Sequence, residues 1–597
     1  MTSSSPEIRQ RQMTVNKPDS LDAHGGMPSR LRRLLVVIPL VVLAVLAVEH
    51  LELTPSYPMT FKLMRTQDAP VLVLVGAVLL ALAAWLLPAA WNDGTARLVA
   101  RTQVLLVVLI LGAAVVVALG TSFLVRDTPV SHDENMSKFD TQILSTGHLM
   151  APIPPEWRAF SWALKPAFRL PVPGDLAWIS TYLPGNAALR AGLGWIFGPA
   201  AVNAILVGSA LLALLAVARR LWPERREAWV VAVVLMASSS QVLGMGMTPF
   251  AMTAHLLLNL VWLGLYLRNT NAGHAGAIAV GFWATGLHQL IFHPLFVTPF
   301  IAQMLLDRRW RLAALYVASY GAIGIFWIIY WQLLLAGHSI APEAAGAMGT
   351  SFFISRVASM LRDFSISGPE TMLQNLLRFA AWQNPLLVVL LVPGMALGWR
   401  VGGVLRALAV GIVLTLVAML ILLPYQDIGW GYRYVHGLIG SAALLAAFAW
   451  TALTDQASES GRRAAWGVMA AITAVAVLLL APVHARQMYA YISPYTRANQ
   501  AIAASTAGAV VIETISVGHG IELVRNDPDL RNRPLVFDIG LLDEKLIQEL
   551  CARMTVTVFD GQQAERFGMA RFDPTKHQGY PKIQPLRAQL ERPPCRR

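Results

Sequence analysis

The sequence is short of charge. Only 14% of its 597 residues are Asp, Glu, Lys or Arg, against 56% hydrophobic residues, whereas soluble domains carry roughly 25% charged residues. A chain this apolar must hide much of its surface in lipid, which excludes an ordinary soluble enzyme. Cysteine is nearly absent: Cys551 and Cys595 are the whole complement, too few for a thiolate cluster or a disulfide framework. Residues 1–29 lack the apolar core and cleavage site of a secretory signal and, being polar and rich in Ser, Pro and Gly, read as a disordered cytoplasmic tail. No Gly-rich phosphate motif occurs, and no internal repeat of the kind transporters carry is visible. The net charge of +13 would suit nucleic acid, but the cations sit in short clusters between apolar runs, as membrane orientation signals do.

What is present is a series of runs long enough to cross a bilayer, which takes about 20 mostly apolar residues each. They are 34–52, 70–90, 102–124, 192–217, 228–248, 251–267, 312–336, 384–400, 404–424, 434–454 and 464–482. The run 276–306 is interrupted by "GLHQLIFHP" and reads as two short helices forming a hairpin, for thirteen crossings in all. With the N-terminus inside, the inner flanks from residue 30 onward hold 17 Lys and Arg and the short outer loops hold 3. Positive charge is enriched inside, so the assignment is self-consistent. It divides the chain into the tail 1–29, a transmembrane domain 30–482 with long outer loops at 125–191 and 337–383, and a C-terminal extracytoplasmic domain 483–597. In that last part "GAVVIE", "PLVFDI" and "MTVTVF" read as strands and "LLDEKLIQELCA" as a helix. The expected fold class is therefore mainly α: a polytopic helix bundle with a small C-terminal α/β domain. Both cysteines fall on the oxidising side, where pairing is open to them.

The segment "SHDENMSKFDTQILSTGHLMAPIP" (131–154) follows the third crossing. Ser131 and Glu134 fit a capping box, and Gly147 supplies a helix stop. Met136, Phe139 and Ile143 share one face, suited to lying on lipid headgroups. Capping accounts for Glu134 but not for Asp133. Asp140 lies seven residues on, on the same face as Asp133. Downstream, Arg158, Lys165 and Arg169 place cations near the aspartate in sequence, as lipid-headgroup contacts or as a clamp on phosphate. A helix with Ile354, Val357, Leu361 and Phe364 on one face is expected in the second outer loop, resting on the membrane.

These segments resemble the first outer loop of the GT-C superfamily of membrane glycosyltransferases, including the aminoarabinose transferases and protein O-mannosyltransferases. The likeness lies in the Asp-Glu pair after a membrane helix, "LKPAF" (164–168), "TYLPGNAALRAG" (181–192) and "IGWGYRYVHGLIG" (428–440). The order of motifs is similar, though the helix here follows the third crossing rather than the first and Ala167 replaces the second proline of Lys-Pro-Pro. The resemblance implies transfer of a sugar from a polyprenyl-phosphate donor to a glycan, lipid or protein acceptor at the outer face of the cell membrane, with membrane lipids around it and no nucleic acid as partner. It implies Asp133 as base with Glu134 supporting it, and Lys165, Arg433 and Arg158 as donor-phosphate ligands. His132, Tyr432 and Tyr434 are candidate substrate contacts, with interfacial packing as the plainer role for each. Arg433 could equally snorkel toward lipid headgroups. A divalent cation bridging acid and phosphate is compatible with this chemistry and not required by it. His288 and His293 at the broken helix are open to two readings, a ligand site or hairpin packing, the second being the plainer. The rival function is a multi-pass transporter or lipid flippase, and a silent scaffold displaying the C-terminal domain is a third.

Overall fold

The computed structural model describes residues 27–51, 58–85, 87–338, 358, 362, 367–593 and 595. Every stretch read as a crossing is mostly helical over its described residues. Among the described residues, eight helices are long and apolar enough to span a membrane, or ten when the two bent pairs Arg226–Ala237 with Ser240–Gly246 and Gly368–Trp382 with Pro385–Val401 each count as one. The chain is a multi-pass membrane protein. The shortfall from thirteen lies in short helices such as Met252–Tyr266 and Phe292–Leu306. The 276–306 run is indeed two helices, Asn271–Thr285 and Phe292–Leu306, broken around Gly286–Ile291. Two boundaries differ from the sequence reading. The run beginning at 192 is split at Gly198, where φ is +84°. The last membrane helix does not stop at 482 but continues without a break to Ala503, because no Gly or polar cap interrupts it before Ala504.

The C-terminal region forms a three-stranded parallel sheet, with Ala509–Ile512 at the centre between Leu535–Asp538 and Val556–Phe559. The helix Glu544–Arg553 connects the latter two strands, and a Cys551–Cys595 disulfide ties on the closing segment.

This sheet is welded to the first outer loop. Met136, Phe139 and Ile143, expected on lipid, are buried in one apolar cluster with Trp157, Phe160, Leu535 and Phe537. The correction has a plain cause: the C-terminal domain covers the apolar face that lipid would otherwise cover. Phe160 and Phe537 meet edge to face at 5.9 Å, and Trp178 donates its indole N–H to the Pro528 carbonyl at 2.9 Å. Asn526 donates to the Leu164 carbonyl at 2.9 Å. Phe537→Ala is expected to cost about 3–5 kcal/mol, read as a lowered thermal midpoint of the full chain and faster hydrogen exchange across 132–145. The expected helix with Ile354, Val357, Leu361 and Phe364 lies outside the described residues.

Candidate functional site

The helix His132–Ser145 carries the first functional group. Ser131 is extended, with φ −138°, and its hydroxyl accepts the Glu134 amide at 3.3 Å. The Glu134 carboxylate reaches back to the Val130 amide at 2.9 Å. Gly147, at φ +81°, turns the chain after the last turn where other residues are strained. Glu134 is thus a buried cap, and burial pushes its carboxyl up to about 7. Two acids in the first turn also suit the positive end of the helix dipole.

Capping leaves Asp133 free to point the other way, into a cluster drawn from distant elements. Its Oδ2 lies 2.7 Å from Arg433 Nη1, and the Tyr182 hydroxyl donates to Oδ1. Tyr182 packs between Phe168 at 5.0 Å and His288 at 4.1 Å, measured between ring centroids. Burial disfavours the Asp133 anion, but Arg433, His288 and the Tyr182 hydrogen bond outweigh it and hold the carboxyl below the usual range. His288 is driven down to about 4, chiefly by burial, so it is neutral at physiological pH. Asp133 is therefore an ionised carboxylate in a largely apolar setting.

Arg433 is placed by a framework of amides. Gly431, at φ +71°, brings its backbone so near the Gln241 side chain that a Cβ would lie 2.4 Å from Oε1. Gln426 donates to the Gly431 carbonyl at 2.7 Å and accepts the Arg433 amide at 2.9 Å. Gln241 donates to the Tyr432 carbonyl at 2.7 Å and accepts from Gln383 at 2.8 Å. A buried ion pair backs this loop. Arg378 Nε lies 2.9 Å from Asp68 Oδ2 and donates through Nη2 to the Gly429 carbonyl at 2.8 Å. Arg433 is only 5% exposed, so it does not snorkel. Tyr432 and Tyr434 are likewise buried rather than interfacial; Tyr434 packs on Phe292 at 5.9 Å, and Arg433 Nη2 donates to its hydroxyl at 3.4 Å.

The remaining sequence candidates divide. Lys165 is buried on the Phe139 side of the helix, its ammonium 4.6 Å over the Phe139 ring. Burial lowers it to about 8, against the opposing pull of Asp140 and Glu522. Asp140, raised to about 7 chiefly by burial, lines a small recess with Tyr182, Ser180, Tyr330 and Trp331, which joins it to the Asp133 side of the helix. His132 Nδ1 sits 2.9 Å from Glu522 Oε1 of the C-terminal domain, a docking contact. Arg158 engages its own loop, donating to the Ile153 carbonyl at 3.2 Å. Arg169 is spent on Asp175 at 2.8 Å and stacks on Trp162. His293 is packing, bridging Asn259 and Tyr320 at 2.7 and 2.8 Å. Tyr182, Gln241 and Gln426 are not singled out from sequence, though the "TYLPG" segment contains the first; His288 is noted at the broken helix, with packing as its plainer role. Among the described residues no group of three or more His, Cys, Asp or Glu is arranged to hold a metal ion.

No family model matches the chain, and no curated protein matches it. Among solved structures it is similar to ArnT from Cupriavidus metallidurans bound to undecaprenyl phosphate, at 12% identity and a TM-score of 0.45, over 74% of this chain and 91% of that one. It is also similar to the same protein in the apo state, at 13% identity and a TM-score of 0.42, over 71% and 84%.

Proposed function

We propose that this chain is an integral-membrane glycosyltransferase of GT-C type. It moves a sugar from a polyprenyl-phosphate donor to an acceptor at the outer face of the membrane, with Asp133 as base. The observation that carries the reading is the Asp133–Arg433 pair at 2.7 Å. One charged pair follows the exit of a membrane helix, and Lys165 adds a second buried cation in the same outer loop. The 17-to-3 bias of Lys and Arg supports an inner N-terminus. The Cys551–Cys595 disulfide supports an oxidising side for the C-terminal domain.

The donor already carries an acidic phosphate as leaving group, so it needs little protonation, and one base suffices. The acceptor O–H or N–H proton passes to Asp133 as the acceptor atom bonds to the anomeric carbon. The bond from that carbon to the phosphate oxygen breaks, and the added charge gathers on polyprenyl phosphate. Arg433 and Lys165 meet it, Arg433 through a fork able to grip two oxygens. Arg433 is shared: a phosphate that draws it away from Asp133 weakens the pull that holds this carboxyl low, so donor binding makes the base stronger.

The test is transfer of label from polyprenyl-phosphate sugars in membranes holding the full chain, followed in lipid, glycan and protein fractions. Product is expected. None from several donors would favour transport, a reading that draws on the buried His255, His293, His436 and Asn259 inside the bundle. A pH profile tests Lys165. With its ammonium lowered to about 8, kcat/KM should fall as pH rises through about 8, because the phosphodiester donor does not titrate there. Lys165→Arg keeps its charge at any such pH, so the alkaline limb should move upward. A limb that stays in place removes Lys165 from the phosphate.

A further inference from the structure

A second cavity lies on the opposite side of the His132–Ser145 helix. Gln142 is nine residues from Asp133, half a turn out of phase at 3.6 residues per turn. With Lys138, Thr141 and Ser145 it lines a cleft of about 980 Å³. Asp133 and its partners do not line it.

The cleft is cationic. Arg126, Lys138 and Arg190 face it against one carboxylate, Asp127, which Lys138 reaches at 2.5 Å. Arg190 donates through Nη2 to Asn203 Oδ1 at 2.8 Å, while its buried Nη1 has no hydrogen-bond partner among the described residues. Burial lowers Arg190 only to about 10, so it stays charged at neutral pH. A buried guanidinium nitrogen without an acceptor is costly, and a phosphate oxygen is the acceptor that such a fork suits best.

The position of the cleft names the source of the phosphate. Thr121 and Ser122 come from the end of the span Thr102–Val125, and Pro199, Ala200 and Val202 from the start of the span Pro199–Leu221. Its mouth thus opens between two membrane helices at one end of the bundle. Phe123, Trp195, Ile196 and Phe197 around it are 57–71% exposed, as side chains bathed by the interface are, and Trp195 is anchored by its N–H on the Ser145 carbonyl at 3.1 Å. Aromatic side chains concentrate at headgroup level.

We propose that this cleft seats the phosphate of an anionic membrane lipid, with Arg190 as the inner ligand and Arg126 and Lys138 at the rim. The seat is separate from the donor site around Asp133, so it stands or falls without the glycosyltransferase reading.

The test is native mass spectrometry of the full chain released from detergent. Three probes are offered: phosphatidylglycerol, a neutral galactosyl diacylglycerol with the same acyl chains, and sn-glycerol 1-phosphate. The wild type should retain phosphatidylglycerol over the galactolipid. Arg126→Gln with Lys138→Gln, both at the rim and outside the packed interior, should cut retention by roughly tenfold or more, given the contribution of each cation near a headgroup. Arg190→Gln should cut it further. Equal retention of both lipids, or retention unchanged in the rim double variant, overturns the proposal. Capture of glycerol 1-phosphate as tight as that of the lipid overturns the lipid as source and leaves a soluble phosphate ester in its place.

Discussion

Asp133→Asn is expected to lower sugar transfer by about 100- to 10,000-fold, the range a positioned general base contributes. The change is nearly isosteric and keeps an acceptor for the Tyr182 hydroxyl, so the geometry around the ring stack of Tyr182 and His288 persists. What it removes is the charge that accepts a proton. It also leaves Arg433, only 5% exposed, without its carboxylate, and breaking a buried pair costs about 3–5 kcal/mol. Lost folding and lost chemistry therefore have to be separated. An Arg433 relieved of Asp133 is free for the donor phosphate, so KM for the donor should hold or fall while kcat collapses. A partly misfolded preparation would also lower apparent kcat at an unchanged KM. The number of donor-binding sites per chain, expected to equal that of the wild type, separates the two. Transfer that survives in Asp133→Asn at equal expression would place the base elsewhere, with Asp140 the next carboxylate on that side of the helix. Because the Asp133 carboxyl is held below its usual range, no acid limb from it should enter kcat/KM between pH 5 and 8.

How much of this could be read from the chain depends on the range of each interaction. The cap formed by Ser131 and Glu134 spans three residues, so the sequence contains all of it. The crossings are legible because lipid imposes a length. Asp133 stood out because capping did not explain it, and Arg433 because it follows a Trp-Gly pair at a helix entry. Tyr182 lies 49 residues beyond Asp133 with nothing local to mark it, and the broken helix drew attention to His288 without showing that its partner is Tyr182. The amide framework of Gln241, Gln383 and Gln426 is hidden for the same reason: a glutamine in an apolar run looks alike whether it faces a backbone carbonyl or a neighbouring glutamine. The face of Met136, Phe139 and Ile143 shows the deeper limit. An amphipathic pattern records that something apolar covers a helix, and lipid and a protein domain leave the same pattern. The covering domain begins more than 350 residues later, so only the fold could tell them apart. Arg158 and Arg169 show the converse: closeness in sequence to Asp133 marked them, and the fold gives each a local partner.

The second large effect is expected from a residue that no motif contains. Arg378→Met should lower stability by about 3–5 kcal/mol, because it leaves the Asp68 carboxylate buried and unpaired. Both side chains are 1% exposed, and Trp382 donates to the other Asp68 oxygen at 2.7 Å, which holds the carboxylate in place rather than letting it turn to water. Restoring neutrality with Asp68→Asn in the same chain should recover much of the loss, since buried pairs are often replaceable by uncharged groups of similar volume. The thermal midpoint of the full chain reads this comparison. Activity should not recover with it. Arg378 also donates to the Gly429 carbonyl at 2.8 Å, four residues before Arg433, and a buried carbonyl left without its donor costs about 1–3 kcal/mol. The cheapest response is for the 429–433 loop to shift, and a shift there moves the guanidinium proposed to meet the donor phosphate. The double variant should thus be folded, with a raised donor KM and reduced kcat. If stability and transfer both return, Arg378 serves the bundle alone, and the amides of Gln241 and Gln426 suffice to place Arg433.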